Sequence, residues 1–191
     1  NTLNHGYAWD DTIPITENPR VQKGLAGITD HFQFRDREIL ADFNGYRPIT
    51  FTTFSLDIAL FGNNPQAAHK MQVFYYALLC MFIFFTFLKI FKGHHPFYAF
   101  LAALVFAVHP LHVEVGANLK SRDEILALLF WLLSIRFFLY FVRKHRVSYA
   151  ALSMVFFLLA MLSKEGSVAI LGIMVVGAWI FGTDLRKRLV G

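Results

Sequence analysis

The 191-residue chain is 56% hydrophobic, carries 22 phenylalanines and has a mean hydropathy of +0.47. Soluble domains run at about 45–50% apolar with dispersed charge. Here the charges collect between apolar blocks, which excludes an ordinary soluble domain and predicts a multi-pass membrane protein. The net charge of +5 and the pI near 9.4 do not call for nucleic acid as a partner, because the cations gather at the ends of apolar runs. A single Cys80 inside such a run leaves no disulfide framework.

Residues 1–65 are largely polar, rich in aromatics, Gly and Pro, and hold no span. They read as one large non-cytoplasmic loop. A start at Asn1, with neither Met nor a signal-type region, is expected of a piece of a longer protein. Trp9-Asp10-Asp11 stands near the start, and Glu17-Asn18-Pro19 is a turn signal. Residues 28–34 form a short helix or an extended piece. Pro48 suits a first helical turn, where its missing N–H is not needed. Phe51, Phe54, Ile58 and Phe61 then recur at helical spacing, predicting an amphipathic helix lying along a membrane or on a bundle. Asn64 can cap the next helix with Pro65 at its first position.

The membrane part, 66–191, is expected to hold about five spans: 68–91, 96–113, 125–142, 147–162 and 167–181. Pro110 removes a helical hydrogen bond and restricts His109, so the second span should kink or end there. Ser121-x-x-Glu124 reads as a capping box for the third. The predicted fold class is all-α, a polytopic membrane helix bundle whose large outer loop carries short interfacial helices.

Lys89/Lys92, Arg143/Lys144/Arg146 and Arg186/Lys187/Arg188 occupy alternate turns. By the positive-inside rule they face the cytoplasm. Residues 1–65, the stretch 109–124 and Lys164-Glu165 then share the opposite face, so every unusual polar cluster lands on one side.

That face holds the chemistry. Asp10 and Asp11 are candidate catalytic bases, since a carboxylate near an apolar boundary can be tuned for proton transfer; they are equally a solvated loop pair. Arg47, Lys120, Arg122 and Lys164 are candidate phosphate ligands, although an interfacial arginine can merely snorkel and Asp123 and Glu124 can simply neutralise their neighbours. His69, His109, His112, Glu114, Asp123 and Glu165 are expected to line the cavity, with Glu114 orienting an imidazole; for His69 a structural place is the plainer reading. The His-x-x-His spacing of His109 and His112 raises a metal, but Pro110 spoils the helix and no third ligand is well spaced, so neither metal nor other cofactor is expected. Lys164-Glu165 between two short apolar runs is costly in lipid and so marks a functional position.

Seven pieces occur in order: Trp9-Asp10-Asp11, Asn18-Pro19, Gly45-Tyr46-Arg47-Pro48, Phe61-Gly62-Asn63-Asn64-Pro65 with His69, His109-Pro110-Leu111-His112-Val113-Glu114, Ser121-Arg122-Asp123 and Ser163-Lys164-Glu165. Together they resemble the membrane part of the transmembrane and tetratricopeptide-repeat O-mannosyltransferases and their bacterial relatives, in the GT-C glycosyltransferase superfamily. The resemblance implies an inverting enzyme that takes a sugar, mannose in that family, from a polyprenyl-phosphate carrier in the membrane. Transfer would go to a protein hydroxyl on the periplasmic or lumenal face of a bacterial inner membrane or the endoplasmic reticulum. It places the catalytic base, an acidic residue of the first outer loop, at Asp10 or Asp11. The competing reading is a non-catalytic structural subunit of a larger membrane complex built on the same fold, with partner subunits in place of an acceptor. A transporter ranks lower, because the spans are almost bare of charge apart from Arg136.

Overall fold

The computed structural model describes residues 2–33, 45–91 and 94–176. The regular structure among them is helical throughout, in agreement with the predicted all-α membrane bundle. Six helices organise it: α1 (Pro48–Phe61), α2 (Pro65–Ile90), α3 (Pro96–Val108), α4 (Pro110–Ala117), α5 (Arg122–Lys144) and α6 (Val147–Ser163). Short helical turns at Pro19–Gln22 and Ile28–His31 pack on α1.

Local chemistry accounts for most boundaries. Asn64 Oδ1 accepts from the backbone N–H groups of Gln66 and Ala67 at 3.0 and 3.3 Å, with Pro65 opening α2. Asn18 caps Pro19–Gln22 in the same way, filling donors that a helix start leaves unpaired. At the end of α1 the chain turns through Gly62 at φ 66°, a left-handed conformation natural to glycine. Gly27 answers a different need: a Cβ there would lie 1.9 Å from the Arg20 carbonyl oxygen.

The predicted break falls between α3 and α4, which meet at a 61° bend. Pro110 has no N–H to offer the Phe106 carbonyl one turn back. The His112 ring supplies the missing donor, Nδ1 lying 2.9 Å from Phe106 O. The Ser121 capping box does not form. Ser121 makes no side-chain cap; Asp123 Oδ1 accepts the Glu124 N–H at 2.8 Å and Asn118 Oδ1 accepts the Lys120 N–H at 3.1 Å. Asp123 has taken the Glu124 donor that the box needs, and the Ser121 N–H goes to the Asn118 carbonyl at 3.2 Å.

Two helices, Pro65–Lys89 and Leu119–Lys144, are long and apolar enough to cross a membrane, and the bent α3–α4 pair makes a third if it is one span. The expected span 96–113 is therefore interrupted at His109. α6 matches the expected 147–162 and the helical Glu165–Val176 the start of 167–181, both shorter than a full crossing. Residues 177–181, Lys92 and Arg186-Lys187-Arg188 lie outside the described residues.

α2 and α5 run parallel. Near one end Arg122 donates to Gln72, and near the other Lys89 donates to the Tyr140 hydroxyl. α5 and α6 form an antiparallel hairpin closed by reciprocal bonds, Ser134 Oγ to Ser153 O and Ser153 Oγ to Ser134 O, both 2.9 Å. Phe137 stacks on Phe156 beside them at 5.5 Å. Leu79, Ile83, Ala103, Ile125 and Leu129 fill the space between α2, α3 and α5.

The simple amphipathic picture of α1 needs correction. Phe51 and Phe54 are buried as expected, but Thr50, Ser55 and Asp57 are buried with them, while Leu60 and Phe61 are exposed. The inward face is mixed because each polar group has a partner: Ser163 O for Thr50, His31 Nε2 for Ser55 and Arg122 for Asp57.

Candidate functional site

At the end of the bundle where α2 and α5 begin, a buried ion pair ties three helices together. Arg122 is fully buried. Its Nη1 lies 2.6 Å from Asp57 Oδ2, its Nε donates to Gln72 Oε1 at 3.1 Å and its Nη2 to Ala68 O at 3.2 Å. The guanidinium also stacks over Phe54 and Tyr75. Burial pushes the Asp57 carboxyl above the usual carboxylate range, and the Arg122 charge pulls against it. The phosphate contact expected of Arg122 does not fit this setting. Its donors are turned inward, and it acts as a strut between α1, α2 and α5. Asp57 and Gln72 were missed in the sequence, where the one available signal was a carboxylate inside an apolar helix.

Next to the strut, Asp123 collects cations. Arg47 Nη1 is 2.6 Å and Lys164 Nζ 3.4 Å from its Oδ2, and Lys164 also pairs with Glu124. The Arg47 Nε is buried without a partner among the described residues. Glu165 is exposed, its carboxylate passing close to Gly45. Segments 45–50, 121–124 and 163–165, remote in sequence, thus meet at one point.

The two adjacent aspartates differ sharply. Asp11 is 1% exposed, and both its oxygens are engaged: Oδ2 accepts from Ala8 N at 3.1 Å and Oδ1 from Lys120 N at 2.9 Å. Asp10 is open to solvent, with Lys120 Nζ 3.7 Å from its Oδ2. Asp11 therefore fastens the N-terminal loop to the start of α5, while Asp10 stays accessible to solvent. His69 is buried, its Nε2 3.3 Å from Gly6 O, and acts as a second fastening for that loop.

A cavity of about 400 Å³ opens beside this cluster, between α2, α4, α5 and the turn Glu165–Ala169. Tyr76, Leu79, Phe106, Leu128, Trp131 and Ile170 make its wall largely apolar, and His112, Glu124 and Lys164 supply polar groups. Because a carbonyl can only accept, His112 Nδ1 is the donor in its contact with Phe106 O. Trp131 Nε1 is buried without a partner among the described residues.

Of the expected lining residues, the structure brings His112 to this cavity. The His109 ring lies tilted beside that of His112, centroids 5.1 Å apart, but is exposed, as is Glu114. No imidazole pairs with Glu114 among the described residues, so its orienting role is not realised; the turn at Pro110 points it elsewhere. Asp10, Asp11 and Asp123 sit at the same end of the bundle without lining the hollow. Among the described residues no three His, Cys, Asp or Glu side chains converge as a metal would require.

The profile of the dolichyl-phosphate-mannose-protein mannosyltransferase family matches residues 48–190. The chain belongs to this family. It is similar to the human protein O-mannosyl-transferase TMTC1, 34% identical over 138 residues, which cover 70% of this chain and 15% of that protein. The human protein O-mannosyl-transferase TMTC3 is 27% identical over 182 residues, 91% of this chain and 19% of its own length. Mouse protein O-mannosyl-transferase TMTC4 is 26% identical over 212 residues, 96% and 29% respectively. The chain thus spans less than a third of these relatives. No solved structure matches it.

Proposed function

We propose that this chain is the membrane core of a glycosyltransferase moving a sugar from a polyprenyl-phosphate carrier to a protein hydroxyl on the non-cytoplasmic face. Mannose is the sugar suggested by the relatives' names. The observation that carries this reading is the junction of a solvent-open carboxylate, a cluster of cations and an apolar cavity at one end of the bundle. A donor with a charged phosphate and a long apolar tail needs such a junction.

In this mechanism Asp10 takes the proton of the acceptor hydroxyl. The oxygen attacks the anomeric carbon, the bond from that carbon to the phosphate oxygen breaks with inversion, and the electron pair leaves on the phosphate. Lys120 and Lys164 stabilise that growing charge. Arg47, already near Asp123, can move its charge to the same anion. His112 and Trp131 stand in the cavity wall. The basic ends of α2 and α5 face the cytoplasm.

The test is transfer from dolichyl-phosphate mannose by the full-length protein, with Asp10→Asn and Asp11→Asn compared. Removing a general base is expected to lower kcat by about 10²–10⁴-fold in Asp10→Asn. Asp11→Asn should lower thermal stability as well as rate, since two backbone donors lose a charged acceptor. Undiminished transfer in Asp10→Asn would remove the assigned base.

A further inference from the structure

At the other end of the bundle the charge is of one sign. Lys89 from α2 donates to the Tyr140 hydroxyl of α5 and lies 4.8 Å from the ring centroid. Arg136 lies 5.9 Å from the same ring, and Lys144 lies 6.0 Å from both the Tyr140 and Tyr149 rings. The two phenols are themselves 5.6 Å apart. None of these cations forms an ion pair among the described residues. The described carboxylates all sit in the N-terminal segment, in α1, or in the stretches after Val108 and after Ser163. Three cations drawn from two helices around two phenols would repel one another unless an anion joined them.

We propose that Lys89, Arg136, Tyr140 and Lys144 form a binding site for the phosphate of an anionic membrane lipid, on the side of the bundle opposite the candidate catalytic cluster. The cations are placed for it: Lys89 and Lys144 are exposed at the ends of apolar helices, where a headgroup lies. Their flexible stems let the ammonium groups close on phosphate oxygens, and the Tyr140 hydroxyl adds a donor once Lys89 turns to the anion. The outward surfaces of α2 and α6, including Met81, Phe85, Val155 and Leu158, are apolar and exposed, as a surface in contact with acyl chains must be. A free phosphate ion would use the cations and ignore that surface, so the lipid is the occupant the structure favours.

Native mass spectrometry of the full-length protein, released from detergent with phosphatidylglycerol and phosphatidylcholine present together, tests this directly. Selective retention of phosphatidylglycerol is expected. The preference should fall by about fivefold for each lysine removed in Lys89→Gln/Lys144→Gln, and less in Tyr140→Phe. Arg143→Gln/Arg146→Gln removes the same net charge nearby and should leave the preference intact. Equal retention of the two lipids by the unaltered protein would overturn the site, a result that needs no variant to fold. So would an equal loss in the two double variants, which would show attraction by net charge alone. Displacement of the lipid by equimolar inorganic phosphate would likewise reject a lipid site.

Discussion

The two ends of the helix bundle hold many charges and treat them in opposite ways. Where α2 and α5 begin, Arg122 with Asp57, and Arg47 and Lys164 with Asp123, pair acid with base inside the protein. Where the same helices finish, Lys89, Arg136 and Lys144 crowd around Tyr140 without a described carboxylate. Burial explains the contrast. A guanidinium taken fully out of water must bring its own counter-charge, whereas an exposed ammonium can leave neutralisation to solvent, salt or headgroups. A substitution at the paired end should therefore unsettle the fold, and one at the cationic end should change binding with little effect on folding.

The strongest way to break this comparison is Asp57→Asn. It strands the Arg122 charge and is expected to lower unfolding free energy by about 3–5 kcal/mol, read by chemical denaturation in detergent. Asp57→Leu with Arg122→Met removes both charges and should restore most of that loss. If the single variant is as stable as the parent, Arg122 is not the strut described.

Acid pH gives the next largest effect. Burial holds the His31 imidazole down at about 4, against 6.5 for the free group. Between those values the unfolded chain binds more protons than the folded one, so stability must fall as pH drops from 6.5 to 4. The loss should reach about 3 kcal/mol at the bottom of that window, measured as the denaturation midpoint against pH. His31→Gln should flatten the slope.

Smaller still is Ser134→Ala, halfway between the two ends, which removes one of the reciprocal hydroxyl–carbonyl bonds with Ser153. About 0.6 kcal/mol is expected by the same denaturation. At the cationic end, Lys144→Gln should shift stability by less than about 0.5 kcal/mol. A loss there approaching that of Asp57→Asn would erase the distinction between the ends.

Features set by neighbours in the sequence were readable before any coordinates. Asn64-Pro65, Pro48 and the His109-Pro110 break each depend on a few residues whose backbone chemistry is local. The gathering of Arg47, Lys120, Asp123 and Lys164 at one end was legible from charge alternation along the spans. What escaped was pairing at long range. Nothing near Asp57 announces that its partner is Arg122, 65 positions away, and a carboxylate inside an apolar helix names no partner by itself. Ser121 misled for a related reason, because capping is a competition and Asp123 was better placed for the Glu124 N–H. The difference between Asp10 and Asp11 also needed the fold, since adjacent identical side chains separate once one of them meets the N–H of Lys120.

The bend at Pro110 has a consequence for how firmly the bundle keeps its shape. In hydrocarbon a carbonyl left with only a long backbone bond, from the His109 N–H at 3.4 Å, is a standing weakness, and here an imidazole from the following turn closes it like a splint. Take the ring away and the bend should open more readily. Faster amide exchange through 106–113 in His112→Phe is the expected signature, and unchanged exchange would show that the ring does not hold the bend.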